Sequence, residues 1–260
     1  MSDAAATDRL DGRRALVTGA GSGIGRASAA LLIERGADVA VLDRDADSVD
    51  EARKALGAAT GVAANVRDEA AVRTAIADAA DGLGGPPDVL VNAAGVYRIN
   101  PATEIDEPEW DEVLSTNLRG TFVVAREFVR GLRARSSSPS ERASVVNLAS
   151  TAALVADAKE PAAHYNASKA GVVALTKQMA VEWASDGVRV NAVAPGVIDT
   201  PMLRLMDDPA TGRAYLDERV PLRRLGLASE VAEVIAFLVS DRASYMTGAT
   251  VVVDGGVTAS

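Results

Sequence analysis

The sequence predicts an α/β fold, a doubly wound parallel sheet of about seven strands with helices on both faces. Three observations carry that expectation. Short apolar runs alternate with longer segments whose apolar residues recur at the helical period. The runs are continuously apolar rather than alternating, as in strands covered on both sides. The turns that follow several of them are rich in Gly, Ala, Asn and Pro, which suits the carboxyl edge of a parallel sheet, where open α/β sheets bind ligands.

The whole chain sets bounds on what those elements can do. At 260 residues it could form one large domain or two small ones, and with no linker in view a single domain over residues 1–260 is expected. Hydrophobic residues make up 48% and charged residues 24%, an ordinary soluble composition. A net charge of −9 argues against a nucleic-acid partner, whose binding needs clustered Lys and Arg. With no cysteine, disulfides and thiol catalysis are excluded, and with one histidine no metal site is expected. Residues 1–11 lack the apolar core of a secretory signal, and no apolar stretch reaches membrane-spanning length. No membrane partner is therefore expected, and the cytoplasm is the default location.

The first strand is Arg14-Ala15-Leu16-Val17, bounded by Gly12 and Gly19. It runs into Thr18-Gly19-Ala20-Gly21-Ser22-Gly23-Ile24-Gly25, the pattern T-G-x-x-x-G-x-G, and then into a helix that ends near Gly36. Glycine is needed where an anionic pyrophosphate approaches the backbone, and the helix start offers unpaired N–H groups to phosphate. Strand, glycine turn and helix together predict a dinucleotide site. The next run, Val39 to Leu42, ends at Asp43, which lies 43 − 25 = 18 residues past the last glycine of the loop and is placed to accept hydrogen bonds from an adenosine ribose.

Residues 46–56 read as a helix, Gly61 to Ala64 as a weak strand, 68–81 as a helix and Asp88 to Val91 as the fourth strand. Asn92-Ala93-Ala94-Gly95 follows that strand, its small residues leaving room for a flat ring. A long helix is expected over 108–135, with Asn117 in its interior, where an amide gains nothing unless partners require it. Residues 135–142 read as a surface loop, and Ala143 to Leu148 as the fifth strand, with Ser150 just past its end. After a small-residue loop, Tyr165 and Lys169 open a helix; at i and i+4 they share a face and can serve one site. Val188 to Val193 is the sixth strand and leads into Pro195-Gly196-Val197-Ile198-Asp199-Thr200. Residues 200–222 are irregular and Met/Leu-rich, and read as a substrate lid. A helix from Ser229 and a last strand over Thr250 to Val253 complete the sheet.

Taken in order, T-G-x-x-x-G-I-G, N-A-A-G, Asn117, Ser150, Y-x-x-x-K, P-G-V-I-D-T and the terminal V-D-G-G resemble the short-chain dehydrogenase/reductase superfamily. The resemblance spans nearly the whole chain, and Pro221 to Gly256 is most similar to the 3-oxoacyl-carrier-protein-reductase-like group. It implies a Rossmann-type sheet, a nicotinamide dinucleotide, which Asp43 makes NAD, and hydride transfer between a secondary alcohol and a ketone. Tyr165 would be the general acid/base, with Lys169 lowering its pKa and binding the nicotinamide ribose. Ser150 would bond the substrate oxygen, and Asn117 would hold a water linking Lys169 to solvent. Gly19, Ser22, Gly23, Ile24, Gly25, Asp43, Asn65, Val66, Asn92, Ala93, Gly95, Pro195, Gly196, Ile198 and Thr200 would bind cofactor, with Asn65 reaching the adenine amino group through its side-chain oxygen. Ala152, Met202 and Met206 would join Ser150 and Tyr165 around the substrate. The interval from Ser150 to Tyr165 is 165 − 150 = 15 positions, longer than is usual in the family, so Asp157 to Pro161 is expected to bulge toward the pocket. His164 is expected to be a helix-start or pocket-wall residue.

An apolar wall of Ala152, Ala153, Leu154, Val155 and Tyr97 without a cationic clamp suits a neutral, moderately apolar secondary alcohol. Carrier-bound 3-oxoacyl chains, which Arg126, Arg130 and Arg133 could serve by meeting an acidic carrier, are the alternative substrate. A dinucleotide-binding regulator without turnover is the alternative function. The family also implies a homotetramer, built on the helices at 108–135 and 164–185.

Overall fold

The computed structural model describes residues 8–135, 143–203 and 208–259. Seven apolar runs pair side by side, all parallel: β1 (Arg14–Thr18), β2 (Asp38–Asp43), β3 (Thr60–Ala63), β4 (Val89–Asn92), β5 (Ala143–Leu148), β6 (Val188–Pro195) and β9 (Thr250–Val253). Two further strands, β7 (Ile198–Asp199) and β8 (Gly226–Leu227), form a separate small parallel pair.

The main sheet runs in the order β3-β2-β1-β4-β5-β6-β9. The chain winds outward from β1 to β3, then returns to lay β4 on the other side of β1, where Thr18 pairs with Asn92. The connections leaving β1 and β4 diverge there, and that divergence opens a crevice at the carboxyl edge.

Period-two geometry distributes the apolar strand residues between the two faces. Val17, Val39, Val41 and Val91 pack with Leu32, Val231, Ile235 and Leu238 from α1 (Gly23–Glu34) and α8 (Ala228–Val239). Leu16, Ala40, Leu42 and Leu90 pack with Val72, Ile76, Phe128 and Met179 from α3 (Glu69–Gly82), α5 (Thr121–Arg135) and α6 (Ala163–Glu182). Both faces are covered, which is why most strands carry no polar alternation; β6, with Arg189 and Asn191, is the exception.

Local signals set the helix ends. Asp45 accepts a hydrogen bond from Ser48 N–H to begin α2 (Ala46–Leu56), which stops at Gly57 with φ of 68°. Asp68 caps α3 through Ala70 and Ala71 N–H, and Asp106 caps α4 (Glu107–Leu114) through Glu109 N–H with Pro108 in the first turn. Each cap contributes about 1 kcal/mol.

Two expectations are corrected. The single helix over 108–135 is interrupted: α4 and α5 are separated by a π-helical segment, Ser115–Gly120, that contains Asn117. The 200–222 segment expected to form a lid is not wholly irregular either. Asp208 accepts from Ala210 N–H and starts α7 (Pro209–Arg219). Residues 136–142, most of the predicted surface loop, and 204–207, including Met206, lie outside the described residues. Among the described residues, no helix is long and apolar enough to cross a membrane.

Candidate active site at the carboxyl edge of the sheet

The crevice between the ends of β1 and β4 continues past β5 and β6 as one cleft of about 390 Å³. At one end lies the glycine turn. Gly19 has φ of 66°, and a Cβ there would stand 2.7 Å from Ala94 N; a Cβ on Gly25 would collide with the Gly19 carbonyl oxygen. Only glycine lets the turn, the N-A-A-G segment and α1 meet this closely. Ser22 begins α1 without a side-chain cap, so the first-turn N–H groups are left to face the cleft. This cradle fits a pyrophosphate.

Asp43 lines the same end. Its Oδ2 accepts from Gly21 N–H at 3.1 Å and its Oδ1 from Arg44 N–H at 2.7 Å, which fixes the carboxylate at the strand end. Asn65 and Val66 also line the cleft, but the Asn65 side-chain oxygen expected to meet an adenine already accepts from Arg67 N–H at 3.0 Å.

Two of the predicted residues support the cleft from beneath. Asn92 is buried and donates to Asn147 Oδ1 at 3.0 Å, so it is not among the lining residues. Asn117 is fully buried and sits on the π-helical segment. Its amide donates to Val96 carbonyl at 2.9 Å and Ser168 Oγ at 3.1 Å, and its Oδ1 accepts from Val96 N–H at 2.8 Å. The helix-breaking amide thus makes three hydrogen bonds, to Val96 and Ser168, and ties the segment that follows Gly95 to α6. A Cβ on Gly95 would lie 3.2 Å from Asn117 Oδ1 and 3.7 Å from Lys169 Nζ, so glycine there keeps a gap between these two groups. Sequence reasoning gave no role to Thr18, whose Oγ1 accepts from both Ala93 and Ala94 N–H at 3.1 Å. The signal was the threonine directly before Gly19.

At the other end, Ser150, Tyr165 and Lys169 come together from the end of β5 and the first turns of α6. The Ser150 hydroxyl acts on the Tyr165 phenol, pulling its pKa down, and Ser150 Oγ accepts from Ala152 N–H at 3.1 Å. Lys169 is buried, donates to the Leu148 carbonyl at 2.7 Å and stands 5.7 Å from the Tyr165 ring centroid. Burial pulls its ammonium down to about 8. Tyr165 does not stand below its ordinary value, as expected from the lysine. Burial pushes the phenol up, the bond with Ser150 pulls it down, and the charge of Glu160 adds to the rise. Desolvation outweighs any help from Lys169 when only protein groups surround the phenol.

Pro195, Gly196, Ile198 and Thr200 line the cleft where β6 ends. Beyond the tyrosine, one wall is apolar, with Ala152, Val155, Met202, Leu203 and Val257. The rest of that end is not. The bulge expected at 157–161 brings Asp157 and Glu160 to the cleft beside Tyr97, Tyr215 and Arg219. Burial pushes the Glu160 carboxyl up, the Tyr97 hydrogen bond pulls it down, and the charge of Asp157 raises it further. His164 lies apart, fully buried, with Nε2 at 2.9 Å from Glu109 Oε1. It belongs to the helix start and not to the pocket wall.

Residues 19–258 match the family model described as enoyl-(acyl carrier protein) reductase. The chain is 41% identical to galactitol 2-dehydrogenase (L-tagatose-forming) of Cereibacter sphaeroides, over 96% of each protein. It is 38% identical to a 3-oxoacyl-[acyl-carrier-protein] reductase of Vibrio cholerae, over 95% of this chain and 98% of the relative. Among solved structures, a short-chain type dehydrogenase/reductase from Mycobacterium marinum superposes with a TM-score of 0.87 at 33% identity, covering 97% of this chain and 98% of that one. A gluconate 5-dehydrogenase from Burkholderia cenocepacia, in complex with NADP and tartrate, superposes with a TM-score of 0.88 at 35% identity, covering 97% and 98%.

Proposed function

Because the chain belongs to the short-chain dehydrogenase/reductase superfamily, we propose that it is an NAD-dependent enzyme that interconverts a neutral secondary alcohol and its ketone, with Tyr165 as the general acid/base. The observation that carries this reading is the grouping of Ser150, Tyr165 and Lys169 at one end of a cleft whose other end is a glycine cradle. A binder without turnover has no need of a phenol, a hydroxyl and a buried ammonium on one site.

The bound nicotinamide supplies the hydride acceptor for oxidation and the donor for reduction. The protein's own residues handle the proton. In oxidation, Ser150 holds the substrate hydroxyl against Tyr165 Oη, and the phenolate removes the hydroxyl proton as hydrogen leaves the carbon with its electron pair. In reduction, the phenol returns that proton to the developing alkoxide. Burial resists the phenolate, so positive charge nearby, from Lys169 and a cationic ring, is what favours it. Gly19, Gly23, Gly25 and the first turn of α1 hold the pyrophosphate, and Asp43 the adenosine ribose. Asn117 keeps Gly95 and α6 in register, and the superfamily resemblance adds a water between it and Lys169. The choice of NAD rests on Asp43, whose carboxylate would repel a 2′-phosphate.

Arg126, Arg130 and Arg133 speak against a carrier-protein substrate, since their charges are engaged by Glu69, Glu127 and Asp186. By the same resemblance the enzyme is a homotetramer; the sequence pattern makes it a single cytoplasmic domain with 200–222 as its lid. Light scattering checks the assembly. The catalytic reading is tested by Tyr165→Phe, which keeps the ring. Turnover should fall roughly a thousandfold while dinucleotide affinity, measured by fluorescence titration, holds. Activity within a few-fold of the parent would remove Tyr165 from the mechanism.

A further inference from the structure

The cleft holds two carboxylates that the proposed reaction does not use. Asp157 is fully engaged: its Oδ2 accepts from the Tyr215 hydroxyl at 2.8 Å and meets Arg219 at 3.4 Å, and its Oδ1 accepts from Lys159 N–H at 2.8 Å. Glu160 is not. Its Oε2 accepts one hydrogen bond, from the Tyr97 hydroxyl at 3.2 Å, and its Oε1 has no partner among the described residues. The cations nearby are committed elsewhere, Arg219 to Asp157 and Lys159 to Glu218. The side chain is half-buried yet lines the cleft, so a free acceptor oxygen remains where substrate would lie. Its anchor leads to the chemistry. The Tyr97 ring packs edge-on against Tyr165, with centroids 4.6 Å apart and planes at 65°.

We propose that Glu160 is a specificity residue that accepts a hydrogen bond from a second hydroxyl of the substrate, so that the substrates are neutral polyhydroxylated alcohols and the corresponding hydroxyketones. The proposal rests on the reading of the cleft as an alcohol dehydrogenase site. A hydroxyl beside the reacting carbinol is a donor, and Glu160 lacks one. A hydroxyl-free chain would cover the carboxylate and leave it without water or partner, and a site built to bond a hydroxyl rejects the analogue that lacks it. A substrate carboxylate or phosphate at this wall would meet Glu160 and Asp157 as like charges. Burial raises the Glu160 carboxyl, and in either protonation state it can still bond a hydroxyl.

The test compares kcat/KM for butan-2-ol, butane-2,3-diol, threitol and 3-hydroxybutyrate, with NAD and with NADP. The diol and threitol should exceed butan-2-ol by about ten- to a hundredfold, and 3-hydroxybutyrate should be the poorest. In Glu160→Leu the ratio of diol to butan-2-ol should fall to near one. In Glu160→Gln, which keeps an acceptor without charge, 3-hydroxybutyrate should gain on the diol; this second variant decides the matter if the first does not fold. Equal use of diol and butan-2-ol by the parent, or ratios unmoved by the substitutions, would overturn the role of Glu160 and leave the alcohol dehydrogenase reading intact. Oxidation of none of the four with either dinucleotide would overturn that reading itself.

Discussion

Replacing Lys169 by methionine should stabilise the protein while disabling it. The lysine is buried, and burial holds its pKa at about 8 against 10.5 for the free side chain, with desolvation as the cause. The difference, 10.5 − 8, is about 2.5 units, or roughly 3 kcal/mol of cost to the folded state while the group is charged. Methionine has similar length and adapts to irregular space, but it gives up the hydrogen bond to the Leu148 carbonyl, about 1 kcal/mol. The net gain is about 2 kcal/mol at pH 7, a rise in Tm of roughly 4 to 8 °C for a chain of this size. The sign with pH follows from which state keeps the proton longer. The folded protein releases it near 8 and the unfolded chain near 10.5, so the cost is complete below about pH 8 and vanishes as pH rises between those values. The advantage of the variant should therefore shrink above pH 8 and approach zero by about pH 9.5. Thermal unfolding of both proteins from pH 7 to 9.5, at constant ionic strength and without added dinucleotide, measures it. A variant less stable than its parent at pH 7, or a gap that ignores pH, would refute the argument.

Asp43→Ala should relax the preference for NAD by weakening its binding and relieving repulsion of a 2′-phosphate; kcat/KM for both dinucleotides in parent and variant reads this, and a parent that works better with NADP would contradict it. Asn117→Ala leaves the N–H and carbonyl of Val96 without their partners and should cost roughly 2 to 4 kcal/mol in urea unfolding, with kcat falling along with it. Gly25→Ala drives a methyl into the Gly19 carbonyl and should lower dinucleotide affinity at least tenfold in a fluorescence titration, because the turn must open to accept it.

The strands were legible because a sheet buried on both faces leaves a run of apolar residues with no competing pattern, and β5 and β9 have the bounds that their runs suggested. The dinucleotide turn was legible because the demand for glycine is local. Most of the missed features depend on distant partners. The amide of Asn117 signalled a required contact, but nothing in the sequence near 117 names Val96 or Ser168 as that contact. Helix α7 was hidden by its composition, with Thr211, Gly212 and several charges on a segment whose start is set by Asp208. The bulge of 157–161 toward the pocket was legible from its length, but its partners were hidden by sequence distance: Glu160 lies 63 positions from Tyr97 and Asp157 lies 58 from Tyr215, so the pairing of these carboxylates with tyrosines shows only in the folded chain.

A π turn carries one residue more than an α turn, and one residue corresponds to about 100° around a helix axis. The segment Ser115–Gly120 therefore sets α5 out of phase with α4. The two halves need different phases because they serve different neighbours, α4 packing on α6 and α5 on α3. Deleting one residue from the segment would let the backbone relax to an unbroken helix, but it would also turn Val124 and Phe128 away from the interior they fill. The seam that presents Asn117 is thus held open by hydrophobic packing on α5, well away from the chemistry. Conservative volume changes at Val124 or Phe128 become a means of adjusting the site without touching a polar atom.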